Sequence, residues 1–126
     1  MEALFKDHLR EKKLLDVEKT YLLAVSGGID SVCLGHLLKQ TGVGFCVAHV
    51  NFGLRGDASN SDESFVRSLA EAWQVPFYVT HTNKESLEAT GLSTQMAARE
   101  FRYAWFESLL ERHGMEAVLI AHHADD

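Results

Sequence analysis

The chain has 126 residues, 46% of them hydrophobic, one proline and a formal net charge of −6 from 12 basic and 18 acidic side chains. This length and composition favour one ordered globular domain over a disordered segment. The longest apolar runs, Tyr21–Val25 and Ala117–Ala121, are too short to span a bilayer, and the acid excess argues against a domain that grips nucleic acid unaided.

The opening segment, Met1 to His8, mixes both charge signs and has no signal-peptide core; the expected location is cytoplasmic. Leu4, Phe5, Leu9, Leu14 and Leu15 share one side of an amphipathic helix over about residues 2–16. Arg10, Lys12 and Lys13, with Glu11 between them, read as its solvated face. A first strand is predicted over Tyr21–Val25, then a helix over about 31–41 that stops at Gly42. Gly44–Val50 is a near-continuous apolar run, as in a parallel strand covered on both faces. A polar, glycine-bearing loop over 51–60 leads to a helix at about 61–74, capped by Ser61 or Asn60. The third strand is Pro76–His81. After a polar stretch the longest helix starts near Ser93 and runs to about Arg112, with Gly114 closing it, and Ala117–Ala121 is the fourth strand. The alternation predicts an α/β fold: a doubly wound, mainly parallel sheet with helices on both faces. In such sheets ligands sit at the carboxyl ends of the strands. Each polar cluster here follows a strand, so the clusters should meet in one cleft.

Ser26-Gly27-Gly28-Ile29-Asp30-Ser31 joins the first strand to the next helix. A turn of this kind aims backbone N–H groups and a helix N-terminus at one point, which suits an anion. Gly27 and Gly28 let the backbone approach a phosphate without a Cβ in the way, while Ser26 and Ser31 add hydroxyl donors. Asp30 cannot favour a bare phosphate; it fits if Mg2+ or a cationic co-substrate sits beside a nucleotide. The dinucleotide fingerprint would need G-x-G-x-x-G. The Walker loop would need a lysine, and none occurs between Thr20 and Gln40 except Lys39 at the far end of the helix. A lone Ser-Gly-Gly is an ordinary turn signal, but six residues of this form between strand and helix are far more specific.

Three further clusters carry chemistry. Ala48–Gly56 caps the second strand with polar groups, either as part of a site or as a hairpin-like loop with one surface Arg. Arg99 and Arg102 are three apart, hence on one helix face; they either hold phosphates bidentately or pair with Glu100 and Glu107 on the surface. His122, His123, Asp125 and Asp126 follow the last strand. Zinc there is poorly supported, since adjacent His and adjacent Asp rarely all turn onto one metal; a Mg2+-linked or ammonium-binding role suits the aspartates better. Cys33 and Cys46 form no C-x-x-C and read as small buried hydrophobes.

The 26–31 string resembles the PP-loop of the N-type ATP pyrophosphatases, which split ATP into AMP and pyrophosphate to activate a substrate. Three more stretches match in order: His49-Val50-Asn51-Phe52-Gly53-Leu54-Arg55, Ala97-Ala98-Arg99-Glu100-Phe101-Arg102-Tyr103 and Ala121-His122-His123-Ala124-Asp125-Asp126. With them the chain, from about Tyr21 onward, resembles the N-terminal part of the tRNA(Ile)-lysidine synthetase family. Phe52 stands where many members carry a second His, which leaves no role for a histidine there.

The resemblance implies an adenine nucleotide alpha hydrolase-like fold that uses ATP and Mg2+. ATP would activate the C2 carbonyl of the wobble cytidine in the CAU anticodon of tRNA(Ile), and free L-lysine would displace AMP through its ε-amine. Ser26, Gly27, Gly28, Ile29, Asp30 and Ser31 would take the β,γ-phosphates, with His49 and Val50 lining the adenine. Arg99 or Arg102 would neutralise the α-phosphate, Asp30 or Asp126 would lie near Mg2+, and Asp125 and Asp126 would hold the lysine. It also implies that the family continues beyond Asp126 with the parts that hold tRNA. Residues 1–126 are then expected to be a catalytic domain cut short of its last strand and inactive alone. The rivals are another PP-loop ligase or amidotransferase, and a nucleotide-binding module without catalysis.

Overall fold

Alternate residues of each strand face opposite sides, and both sides are apolar, so the strands need cover above and below. The computed structural model describes residues 18–26, 28–53 and 56–121; the helix expected near residues 2–16, Gly27 and the 122–126 segment lie outside them. Within the described residues the order is β1 (Thr20–Ala24), α1 (Ile29–Thr41), β2 (Gly44–Asn51), α2 (Asp57–Trp73), β3 (Phe77–His81), α3 (Lys84–Glu88), α4 (Thr94–His113) and β4 (Val118–Ile120).

The four strands form one sheet in the order β3-β2-β1-β4, and every pairing is parallel. The chain steps from β1 outward to β2 and β3, then returns across the sheet to β4 on the other side of β1. Right-handed crossovers put the outward helices on one face and the returning helix on the other. The packing follows that rule. Tyr21, Leu23 and Val25 meet Leu38 of α1 and Val66, Ala70 and Trp73 of α2, whereas Leu22, Cys46 and Ala48 meet Phe106 and Leu109 of α4. Leu22, Leu23, Leu38, Val47 and Val66 are fully buried, and each such side chain contributes about 1.5–3 kcal/mol.

Strand ends fall within one residue of the sequence expectation, and the larger differences lie in the helices. Helix α1 begins at Ile29 rather than near 31, because extended Gly28 (φ −77°, ψ 158°) already acts as its N-cap and accepts the Val32 N–H at 3.2 Å. Helix α2 starts at Asp57, not 61, with Gly56 as N-cap and no side-chain cap. Asn60 is unavailable for capping because its side-chain oxygen accepts from Asn51 at 3.1 Å. The polar stretch after β3 contains the short helix α3, started by Asn83, which accepts the Ser86 N–H at 2.8 Å. Ser93 and Gly114 bound α4 as expected. Cys46 is buried, but Cys33 is only half-buried.

Helix α1 lies close to α2 at one point. Gly35 is buried, and a Cβ built there would overlap the six-membered ring of Trp73. That indole is fixed by its Nε1–H, which donates to His36 Nδ1 at 3.1 Å, and by an edge contact with Phe45 at 5.8 Å. Trp73 therefore has little room to give. Gly35→Ala is expected to destabilise the fold by about 1–3 kcal/mol through overpacking, although alanine is the better helix former. Urea melts of the variant check this; unchanged stability would show that the ring can shift.

Candidate active site

A strand order that reverses at β1 leaves a crevice at its carboxyl end, because the connections on either side of β1 depart over opposite faces. A cavity of about 360 Å3 occupies this position. Its floor is the ends of β1, β2 and β4, through Val25, Ala48, His49, Val50, Ile120 and Ala121.

The loop after β1 lines one side with Ser26, Gly28, Asp30 and Ser31. Val25 makes the last bond of that strand, from its N–H to Ala48 O at 2.9 Å. Its carbonyl accepts from Nδ1 of buried His49 at 2.8 Å. This assigns the ring proton to Nδ1 when the imidazole is neutral. Ser26 Oγ accepts the Gly28 N–H at 3.3 Å, and Ser31 Oγ donates to Gly28 O at 3.0 Å. The Ser31 hydroxyl thus shapes the loop instead of pointing a spare donor at a ligand, while Ser26 keeps its own O–H. Helix α1 has no side-chain cap, so no capping side chain takes up its first-turn N–H groups. Ile29 is 71% exposed and does not line the cavity.

Gly28 is informative because the fold does not demand it. Its φ of −77° suits any residue, and an added Cβ would meet only Ser26 Oγ, at an ordinary 3.5 Å.

From the opposite face, α4 contributes Arg102 and Phe106 to the cavity. Arg102 is half-buried and Arg99 is exposed. Both guanidinium groups approach the ring of Tyr103, at 5.8 and 5.3 Å, but only Arg102 reaches the cavity wall. Val50, Phe52, Phe106 and Ile120 make an apolar stretch of that wall, and Phe52 meets Phe101 edge-on at 6.3 Å. Phe106 escaped the sequence reading because a buried aromatic on a long helix looks like core. Asp62 and Ser59 of α2 complete the lining. Beneath them Asn51 donates to Glu63 Oε1 at 3.0 Å, and Glu63 also holds His81 and Arg67.

The PP-loop domain family matches residues 1–126. The chain belongs to the PP-loop domain family. It is 42% identical over 120 residues to a tRNA(Ile)-lysidine synthase of Parabacteroides distasonis, covering 94% of this chain and 27% of that protein. The corresponding protein of Bacteroides thetaiotaomicron is 39% identical over 94% of this chain and 28% of its own length. That of Clostridium acetobutylicum is 35% identical over 94% and 27%. The chain therefore spans about a quarter of the length of these relatives.

Of the residues singled out in this PP-loop domain, Ser26, Gly28, Asp30, Ser31, His49, Val50 and Arg102 surround one cavity. Gly27, Asp125 and Asp126 lie outside the described residues. Among the described residues no group of three or more His, Cys, Asp and Glu side chains is arranged to hold a metal ion by itself. No described helix is long and apolar enough to cross a membrane. Burial pushes the Cys46 thiol up from its ordinary value, which makes it a poor nucleophile.

The Asn51 amide beside Glu63 holds that carboxyl below its ordinary value, opposed by partial desolvation and assisted by His81 and Arg67. A carboxylate with a lowered folded-state pKa adds stability that is present above its unfolded pKa of about 4.3 and disappears as the pH falls through the folded value. The stability gap between the native chain and Glu63→Gln should then narrow below about pH 4. Thermal melts of both proteins from pH 7 to pH 3 measure it; a gap that widens in acid would contradict the assigned direction.

Proposed function

We propose that this chain is the ATP-binding, adenylating part of a tRNA(Ile)-lysidine synthase. ATP activates the C2 carbonyl of the wobble cytidine of a CAU anticodon, and the ε-amine of free lysine then displaces AMP. The observation that carries this reading is the meeting of the loop after β1, the uncapped α1 N-terminus and Arg102 at one cavity with an apolar wall.

Each element has a chemical part in that reaction. Backbone N–H groups of the 26–31 loop and the Ser26 hydroxyl take the β- and γ-phosphates. These donors are already ordered when charge builds on the departing pyrophosphate, so they need no reorganisation. Arg102, planar and always charged, pairs with the α-phosphate as it becomes an adenylate. Val50, Phe52, Phe106 and Ile120 accept the base, and His49 is locked to the Val25 carbonyl as a rigid part of the same wall. Mg2+ fits the donor set, since this cation takes one or two carboxylates together with phosphates and waters. Asp30 would hold it, with Asp62 lining the same cavity, and when bound it neutralises phosphate charge. Asp126 remains a further candidate for Mg2+, and Asp125 with Asp126 for the lysine ammonium groups, on the family resemblance. The net charge of −6 supports a division of labour in which the tRNA is gripped chiefly by regions of the longer relatives that this chain does not span. A cytoplasmic setting follows from the same reading.

Two measurements test this. Gly28→Val should cost about 1 kcal/mol at most, through loss of a favourable N-cap, yet abolish MgATP binding in titration calorimetry, because the β-branched side chain fills space the fold leaves open. Unchanged ATP affinity would remove the phosphate site from this loop. In a protein of the relatives' length that carries this sequence, Arg102→Ala should cut AMP formation with tRNA(Ile) and lysine about a hundredfold. Exposed Arg99→Ala should have a much smaller effect, and both should stay within about 0.5 kcal/mol of native stability. Equal catalytic loss in the two variants would contradict the assignment of Arg102. A binding module without catalysis predicts no effect of either.

A further inference from the structure

The turn that leaves β2 is held by one buried amide. Asn51 is 4% exposed, and its side chain is engaged on both ends. Nδ2 donates to Asn60 Oδ1 at 3.1 Å and to Glu63 Oε1 at 3.0 Å, while Oδ1 accepts the Gly53 N–H at 2.9 Å. The Asn51 carbonyl also accepts the Thr82 N–H at 3.0 Å. A carboxylate only accepts and a backbone N–H only donates, so a single orientation of this amide satisfies its neighbours. Glu63 is in turn held by His81 at the end of β3 and by Arg67 one helical turn onward, the latter at 3.4 Å. Gly53 adopts φ 67°, a left-handed conformation that makes the turn tight. Asn51 and Phe52 line the cavity, whereas Glu63 does not.

We infer that Glu63 is a positioning residue of the nucleotide site: acting through Asn51, it fixes the Asn51–Gly53 turn and so the face that Phe52 presents to the base of a bound nucleotide. The inference rests on the ATP-binding reading above. Glu63 touches neither base nor phosphate in this scheme. Its carboxylate holds the Asn51 amide in the one orientation that lets Oδ1 close the turn. Phe52 then stays against Phe101 and completes the apolar wall. Removing the acceptor frees the amide to rotate and the turn to shift, which weakens contact with the base and leaves the phosphate loop intact.

The test compares MgATP with inorganic tripolyphosphate and Mg2+, each titrated calorimetrically into the native chain and into Glu63→Ala, Glu63→Gln and Asn51→Asp. Tripolyphosphate has no base, so it reports the phosphate loop alone. Glu63→Ala should weaken ATP roughly tenfold, the size of one base–aromatic contact, with tripolyphosphate unchanged. Glu63→Gln, whose amide oxygen still accepts from Asn51, should restore most of the affinity. Asn51→Asp sets two carboxylates against each other near neutral pH. Its ATP deficit relative to the native chain should shrink as the pH is lowered from about 8 to 5, because a shared proton restores the missing donor. A simple loss of packing would show no such recovery. Equal weakening of both ligands, no rescue by Gln, or a pH-independent Asn51→Asp deficit would each overturn the inference alone. Failure of the native chain to bind ATP at all would overturn the functional reading and this inference with it.

Discussion

Parallel strands cannot be joined by a tight turn; each connection must cross a face of the sheet, and it crosses with one hand. Here that rule decides almost everything. With β1 between β2 and β4, the path outward covers one face with α1 and α2, and the path back covers the other with α4. The carboxyl end of β1 is left between diverging connections, uncovered by either. The apolar residues that drive this arrangement are ordinary, but among the described residues the opening they leave brings together a loop, a helix N-terminus and a side chain from the opposite face.

The electrostatics of that opening are balanced rather than uniformly positive. The α1 N-terminus and Arg102 would favour an anion, whereas Asp30 and Asp62 on the same lining would oppose a bare phosphate and favour a cation beside it. An acidic residue in the first turn also suits the helix dipole, so Asp30 costs the fold nothing while it adjusts the site. On the proposed reading, a chain with net charge −6 would concentrate its attraction for phosphate in a few oriented donors, not in a diffuse basic surface.

Much of the fold was legible from residue patterns because burial on two faces leaves a continuous apolar run, and strands Tyr21–Val25, Gly44–Val50 and Ala117–Ala121 all carried one. Ser93 and Gly114 likewise marked the ends of α4 by local chemistry. The start of α2 was misplaced for a physical reason: Asn60 looks like a cap locally, but a partner on β2 claims its side chain. The short α3 was missed because one turn of helix has too few residues to show a period. In the site, the 26–31 loop was readable since its contacts are local. Arg102 could not be separated from Arg99, because both lie on one face three residues apart and only the tilt of α4 across the sheet decides which reaches the crevice.

The sequence by itself determined the main strands and helices, the parallel class and the loop that lines the carboxyl end of β1, since these depend on hydrophobic period, backbone freedom and side-chain chemistry within a few neighbours. Tertiary structure alone decided that β4 lies beside β1, that Phe106 and Ile120 complete an apolar wall, that Ser31 spends its hydroxyl on Gly28, and that Asn51 and Glu63, twelve residues apart, brace one turn. Such choices depend on which surfaces meet after the chain has crossed the sheet, and neither spacing nor composition specifies that meeting.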